Sequence, residues 1–203
     1  MFVVCNGPSL NSVDTDKLTS EITIGCNNII KHPSFLPKYY CIEDPVLFRK
    51  IHDKIPYDKM TCFVAADLNP QFGHKVNFVR WHYYDNDKPE FSDDCSREIF
   101  FGFTVTYMML QIAAWMGADP VYIIGMDGVK PGQSDEDKHF YKGKERGAKA
   151  VRNRAYAAYA LAAEWYRQHN RTLINITPDT VIDEFDKNPT LLRELGLQKE
   201  ATQ

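Results

Sequence analysis

No stretch of the chain reaches the ~18 consecutive apolar residues that a membrane-crossing helix requires, so no membrane span is expected. The first residues carry neither a basic segment nor a small-residue cleavage site. No secretion signal is read there, and a cytoplasmic location is expected. Positive charge is not in excess: the net charge of −3 leaves no electrostatic footprint for nucleic acid. Cysteine is sparse, with only Cys5, Cys26, Cys41, Cys62 and Cys95, no C-x-x-C pair and no His/Cys set at metal-ligand spacing. An odd count beside apolar runs predicts buried free thiols rather than a disulfide framework. G-x-G-x-x-G and G-x-x-x-x-G-K-[ST] are both missing, which excludes the dinucleotide fingerprint and the P-loop. There are no internal repeats and no low-complexity segment.

What is present fits a globular α/β protein. At 203 residues the chain is long enough to bury a core, and residues 1–203 read as a single domain with a charged, lid-like segment at 128–147 and a tail at 179–203. Its 12 Phe, 11 Tyr and 3 Trp suit a ring-lined cleft and a packed core equally well. The organising stretch is Phe2 to Leu10. A short apolar strand over residues 2–5 runs into the turn Asn6-Gly7-Pro8-Ser9. Gly7 is free to take a positive φ, Pro8 presets the next φ, and Ser9 is available as a helix cap. A first strand that ends in such a turn presents backbone N–H groups to an anion in open α/β sheets.

The remaining elements follow from periodicity and punctuation. A short helix is expected over 13–18 and strands over 21–26, 39–42, 60–65 and 76–82. Asp44 and Pro45 mark the start of a helix reaching about residue 54. Residues 83–96 are polar and aperiodic, and read as a loop. The spacing of Val105, Met108, Met109, Ile112 and Met116 predicts a helix over 104–116, closed by Gly117. An all-apolar strand over 120–126 ends at Asp127. A long Ala-rich helix over 148–169, a strand over 172–176 and a last helix near 189–195 complete the chain. Fully apolar strands alternating with helices predict an open, mostly parallel Rossmann-like sheet covered by helices on both faces.

Ligands of such sheets sit outside the carboxyl ends of the strands. The residues there are Asn6, Gly7, Pro8, Ser9, Asn27, Asn28, Glu43, Asp44, Asp127, Asn175 and Thr177, joined by Thr104, Val105 and Thr106 at a helix start. Amides and hydroxyls outnumber carboxylates. Such a set suits a nucleotide, whose base and ribose need hydrogen bonds and whose phosphates need N–H donors. Each residue also has a structural role open to it: Asn6 and Asn27 as turn residues, Thr104 or Thr106 as N-cap, Asp127 as an acceptor for backbone N–H. His139 is the candidate general base, since histidine moves protons near neutrality. Lys138, Lys142, Lys144 and Arg146 surround it, placed either to close over phosphates or to solvate a loop.

Taken in order, several short motifs resemble a known superfamily. They are Asn6-Gly-Pro-Ser-Leu10, Cys26-Asn27, Thr104-Val-Thr-Tyr107, Met116-Gly-Ala-Asp-Pro-Val-Tyr-Ile-Ile-Gly-Met-Asp127, His139-Phe140 and Asn175-Ile-Thr-Pro178. The resemblance spans roughly residues 2–178. It is to a Rossmann-like superfamily that includes 6-hydroxymethylpterin diphosphokinases, the central domains of motility accessory factors, and bacterial sialyltransferases using CMP-activated sugars. In the last branch the resemblance implies nucleotide contacts from Asn6 and Asn27, and His139 as the base that deprotonates the acceptor. The chain departs from that branch in two places. Val105-Thr106 stands where the sialyltransferases have Ser-Gly, and Val129-Lys130-Pro131 where they have tyrosines.

Two enzymatic readings follow, and the glycosyltransferase is preferred. It would take a CMP-type nucleotide-activated sugar and a small-molecule or glycan acceptor, with no metal required. The diphosphokinase alternative would use ATP and Mg²⁺, with Asp127, Asp135 and Asp137 as candidate metal ligands. A third reading is a non-catalytic nucleotide-binding module. Assembly into a homo-oligomer is compatible with all three.

Overall fold

A computed structural model describes residues 1–65, 76–79, 81–82, 89–142 and 149–200. Its centre is a parallel sheet of eight strands. The strands are β1 (Phe2–Val4), β2 (Thr23–Cys26), β3 (Tyr39–Ile42), β4 (Thr61–Ala65), β5 (Val76–Val79), β8 (Val121–Ile124), β9 (Leu173–Asn175) and β10 (Asp186–Lys187). Their spatial order is β10-β9-β8-β1-β2-β3-β4-β5, and every neighbouring pair is parallel. A separate parallel pair joins β6 (Trp81–His82) to β7 (Ile99–Phe100). The helices are α1 (Pro45–Ile51), α2 (Val105–Trp115), α3 (Lys149–Gln168) and α4 (Thr190–Glu194).

This is the open α/β Rossmann-like architecture that the apolar strands predict, and alternation along the strands builds it. Val3, Cys5, Ile24, Cys26 and Cys41 point to one face, where α2 and α3 cover them. Phe2, Val4, Tyr40, Ile42 and Val64 point to the other, under α1, α4 and short 3₁₀ turns. α2 is buried around nearly its whole circumference, from Val105 to Ala114. Its start and stop are local: Thr104 Oγ1 accepts from Thr106 N, and Gly117 takes φ +75 just past the end. Asp44 caps α1 through Val46 N and Leu47 N, with Pro45 in the first position. No helix of the described residues is long and apolar enough to cross a membrane.

The order of strands reverses once in the region of β1. From β1 the chain steps outward through β2, β3, β4 and β5, then returns to place β8 on the other side of β1. The crevice between the carboxyl ends of β1 and β8 is therefore the topological switch point, where ligands of such sheets bind.

Several local expectations differ from the fold. The helix expected over 13–18 is a pair of 3₁₀ turns, Pro8–Ser12 and Thr15–Leu18. The strand expected over 76–82 is split between two sheets, and β7 and β10 arise where none is predicted. Strands of two residues leave no periodicity to read. The helix after Asp44 loosens to a 3₁₀ turn at His52–Lys54. Gly7 has φ −67, so positive φ is not why glycine stands there. Residues 83–88, the end of the charged segment at 143–147, Ala148 and residues 201–203 lie outside the described residues.

Candidate active site

The switch point is closed by a clamp between the ends of β1 and β8. Cys5 N donates to Ile124 O at 2.8 Å and Gly7 N to Gly125 O at 2.7 Å. Ser9 N and Ser9 Oγ donate to Asp127 Oδ1 and Oδ2 at 3.2 and 2.7 Å. A methyl group on Gly7 would lie 1.9 Å from Asp127 Oδ2 and 2.5 Å from Gly125 O, so close approach rather than backbone angle demands glycine. Burial raises the Asp127 carboxyl above the ordinary carboxylate range, and the two bonds from Ser9 hold it down. Leu10 N turns back to Gly7 O, and Pro8 has no N–H. Gly7 N, Ser9 N and Leu10 N are thus engaged within the protein, and the turn serves as a platform.

Asn175 and Thr177 form a second latch at the end of β9. Asn175 Nδ2 donates to Thr180 Oγ1 at 3.2 Å, and Asn175 Oδ1 accepts from Thr177 N at 3.0 Å. Thr177 Oγ1 accepts from Met126 N at 3.0 Å. Both residues are fully buried, with their polar atoms directed at backbone and at the Thr180 hydroxyl.

The remaining predicted residues face the crevice differently. Asn6 Nδ2 donates to Cys26 O at 3.1 Å, which fixes the orientation of the amide. Asn6 Oδ1 is then left buried with no partner among the described residues, and so is Asn27 Oδ1. A buried acceptor without a donor costs ~1–3 kcal/mol, and such groups in a native fold call for a partner, whether water or ligand. Asn27 holds φ +50, a left-handed conformation that asparagine tolerates. Thr106 Oγ1 lies 3.5 Å from Cys5 Sγ, so the first turn of α2 sits directly over the end of β1. Tyr159 of α3 steadies that turn by donating its hydroxyl to Thr104 Oγ1 at 3.0 Å. Burial raises the Cys5 thiol to about 12, which makes it a packing group rather than a nucleophile.

His139 enters on the segment that follows the 3₁₀ turn Asp135–Asp137. Phe140 N donates to Asn6 O at 2.9 Å, and Asn11 Nδ2 donates to Phe140 O at 3.2 Å. The segment is therefore pinned to the β1 turn itself. The His139 ring stacks on Tyr141 at 5.1 Å between centroids and 5° between planes. Tyr141 Oη accepts from Asn28 Nδ2 at 2.9 Å, and Lys31 Nζ lies 4.2 Å from the Tyr141 ring centre. The His32 ring packs on Phe140 at 5.6 Å, and burial lowers its pKa. These bonds tie the His139 segment and the start of α2 to the end of β1 that carries Asn6, with Asn27 at the end of the neighbouring β2. Lys142 lies outside that set, paired at 3.2 Å with Asp137. Lys144 and Arg146 lie outside the described residues, as does the side chain of Asp135.

One contributor, Tyr141, is not among the predicted residues, and another, Glu43, is named there only as a strand-end residue. Tyr141 lies two positions after His139 and carries its ring. Glu43 follows β3 and keeps Oε2 out of solvent with no partner among the described residues, although the residue as a whole is half-buried. Burial, and then the neighbouring Asp44, raise its carboxyl to about 8. Its signal was a polar residue directly after an apolar strand.

A Mg²⁺ ion fits the aspartates poorly. Both Asp127 oxygens are taken by Ser9, and those of Asp137 by Ser134 and Lys142. Among the described residues, no three His, Cys, Asp or Glu side chains converge as a metal-holding group.

No protein-family model matches the chain. No curated protein matches it either. A solved structure does: the α-2,3/8-sialyltransferase CstII, determined as a single-residue mutant. The two share 15% identity over 92% of this chain and 86% of that one, with a TM-score of 0.51. At that identity the likeness is one of fold.

Proposed function

We propose that this protein is a transferase that takes a nucleotide-activated donor, specifically a glycosyltransferase resembling the CMP-sugar-dependent sialyltransferases. The observation that carries this reading is the crevice at the switch point. Two amide oxygens without partners among the described residues lie there beside the first turn of α2 and a tethered histidine segment, on a fold shared with a sialyltransferase.

The chemistry follows from those parts. The nucleoside lies on Asn6 and Asn27, whose open oxygens accept its donors. The phosphate lies toward the first turn of α2, where the helix end favours negative charge. His139 takes the proton of the acceptor hydroxyl as that oxygen bonds to the anomeric carbon of the sugar. The bond from that carbon to the phosphate oxygen breaks, and the nucleotide leaves with the electron pair. Negative charge grows on the leaving phosphate during the transition state, so donors held in place by Thr104 and Tyr159 stabilise it without reorganising. Holding donor and acceptor together supplies the rest of the rate. Ser9, Asp127, Asn175 and Thr177 keep the platform rigid. No metal ion is needed in this scheme.

The test is direct. The protein is incubated with a CMP-activated nonulosonic sugar and a panel of glycan acceptors, and release of CMP is followed with and without EDTA. Acceptor-dependent release that survives chelation supports the reading. Transfer of pyrophosphate from ATP to a pterin alcohol, abolished by EDTA, would replace it with the diphosphokinase. Neither activity, with nucleotide still bound, would leave a binding module.

A further inference from the structure

Glu43 has no part in the transfer just described, yet it completes a pattern. Asn6 Oδ1, Asn27 Oδ1 and Glu43 Oε2 are all buried without partners among the described residues. They follow β1, β2 and β3, which are consecutive neighbours in the sheet. Val4 pairs with Gly25 and Cys26 with Cys41, so the three residues come at nearly the same height on the carboxyl edge. Neighbouring strands lie ~4.8 Å apart, so the row is about 10 Å long, comparable with a nucleoside.

The row also has a direction. Glu43 lies two residues after Cys41, which packs on the face covered by α2, and the Asn6 amide reaches that face at Cys26 Sγ, 3.3 Å away. Burial first, and a nearby Glu43 last, act to raise the hydroxyl of Tyr159, the residue that steadies Thr104 at the start of α2. A molecule spanning the row thus has the helix end on the same side. Glu43 differs from the two asparagines in carrying a carboxyl, whose ionised form, reached above about pH 8 in the free protein, offers two equivalent oxygens. That geometry matches two adjacent hydroxyls, as an acidic side chain on ribose does in dinucleotide-binding sheets.

We propose that Glu43 is a specificity-determining residue of the donor site, accepting the ribose hydroxyls of a nucleotide laid across the ends of β1, β2 and β3. The proposal rests on the nucleotide reading above and deepens it. It makes the protein selective for ribonucleotides over deoxyribonucleotides, independently of the base.

Calorimetric titration of the whole chain with CMP and 2′-deoxy-CMP tests it, with ATP and dATP plus Mg²⁺ run in parallel. The wild-type protein is expected to bind the ribonucleotide roughly 10-fold or more tightly than its deoxy partner. Glu43→Gln is expected to bring that ratio close to one, by weakening the ribonucleotide and leaving the deoxynucleotide unchanged. A merely structural role would weaken both equally and overturn the proposal. Equal wild-type affinities overturn it without recourse to a variant. If ATP binds and CMP does not, the CMP-sugar reading fails, and the ATP/dATP ratio then decides the role of Glu43 separately. Binding of no nucleotide contradicts both.

Discussion

Ser9 and Asp127 stand 118 residues apart in sequence and are joined twice, through the amide and the hydroxyl of Ser9 to the two oxygens of Asp127. This pair locks the first turn of the chain to the end of the central strand β8. The crevice beside it owes its shape to that lock.

Ser9→Ala removes the 2.7 Å hydroxyl bond and leaves a buried carboxylate oxygen short of a donor. A loss of ~1–3 kcal/mol is expected. Urea denaturation checks it, with a lowered midpoint and an unchanged slope. An unchanged midpoint would mean that the clamp is dispensable.

Gly7→Ala acts on the same lock from the other side. The added methyl meets Asp127 and a backbone carbonyl, so the turn must move. Overpacking of this kind costs about 1–3 kcal/mol. Nucleotide affinity is expected to fall along with Tm, because the displaced turn carries Asn6.

Glu43 sets a pH dependence with a definite sign. Its folded-state pKa, about 8, lies above the ordinary 4.5. Below the ordinary value both states carry the proton and the contribution is complete. As pH rises toward about 8, the unfolded chain ionises while the folded one holds its proton, so stability falls; beyond that the loss levels off. The fall is on the order of 2–4 kcal/mol. Glu43→Gln has no such group, so its stability advantage over the wild type is expected to grow from pH 5 to pH 8 (denaturation at each pH checks this). Parallel profiles for the two proteins would contradict the burial of this carboxyl.

His139→Ala is expected to lower kcat by ~10²–10⁴ while leaving nucleotide affinity and Tm nearly intact. Tyr141→Phe keeps the ring under His139 and gives up the hydroxyl that accepts from Asn28, so its effect is small. Tyr141→Ala releases the His139 ring and lowers kcat further. If all three variants have wild-type kcat, another group is the base.

Much of this architecture was legible in the residues. The apolar run at β8, the helical spacing from Val105 to Met116 and the Asp44-Pro45 start each encode their element locally. Thr104 and Gly117 announce both ends of α2. What stayed hidden depends on partners far away in sequence. Asn175 and Thr177 read equally as ligand-facing residues until the fold turns them onto Met126 and Thr180. Gly7 reads as a turn residue until Asp127 arrives beside it. The β10 strand exists only because β9 offers it an edge. The row of open acceptors was half visible: Asn6 and Asn27 stood out as amides at strand ends. Glu43 stood in the same strand-end set, but nothing local shows that its carboxyl is shut away from water.

The most direct test of the account is a thermal-shift panel of CMP, CDP, UDP, GDP and ATP, each with and without Mg²⁺. A ligand that binds only the folded state stabilises it by ~2.7 kcal/mol at 100 times its Kd, a readily measured rise in Tm. The account predicts that CMP raises Tm equally with and without Mg²⁺. A rise seen only with ATP and Mg²⁺ would contradict it.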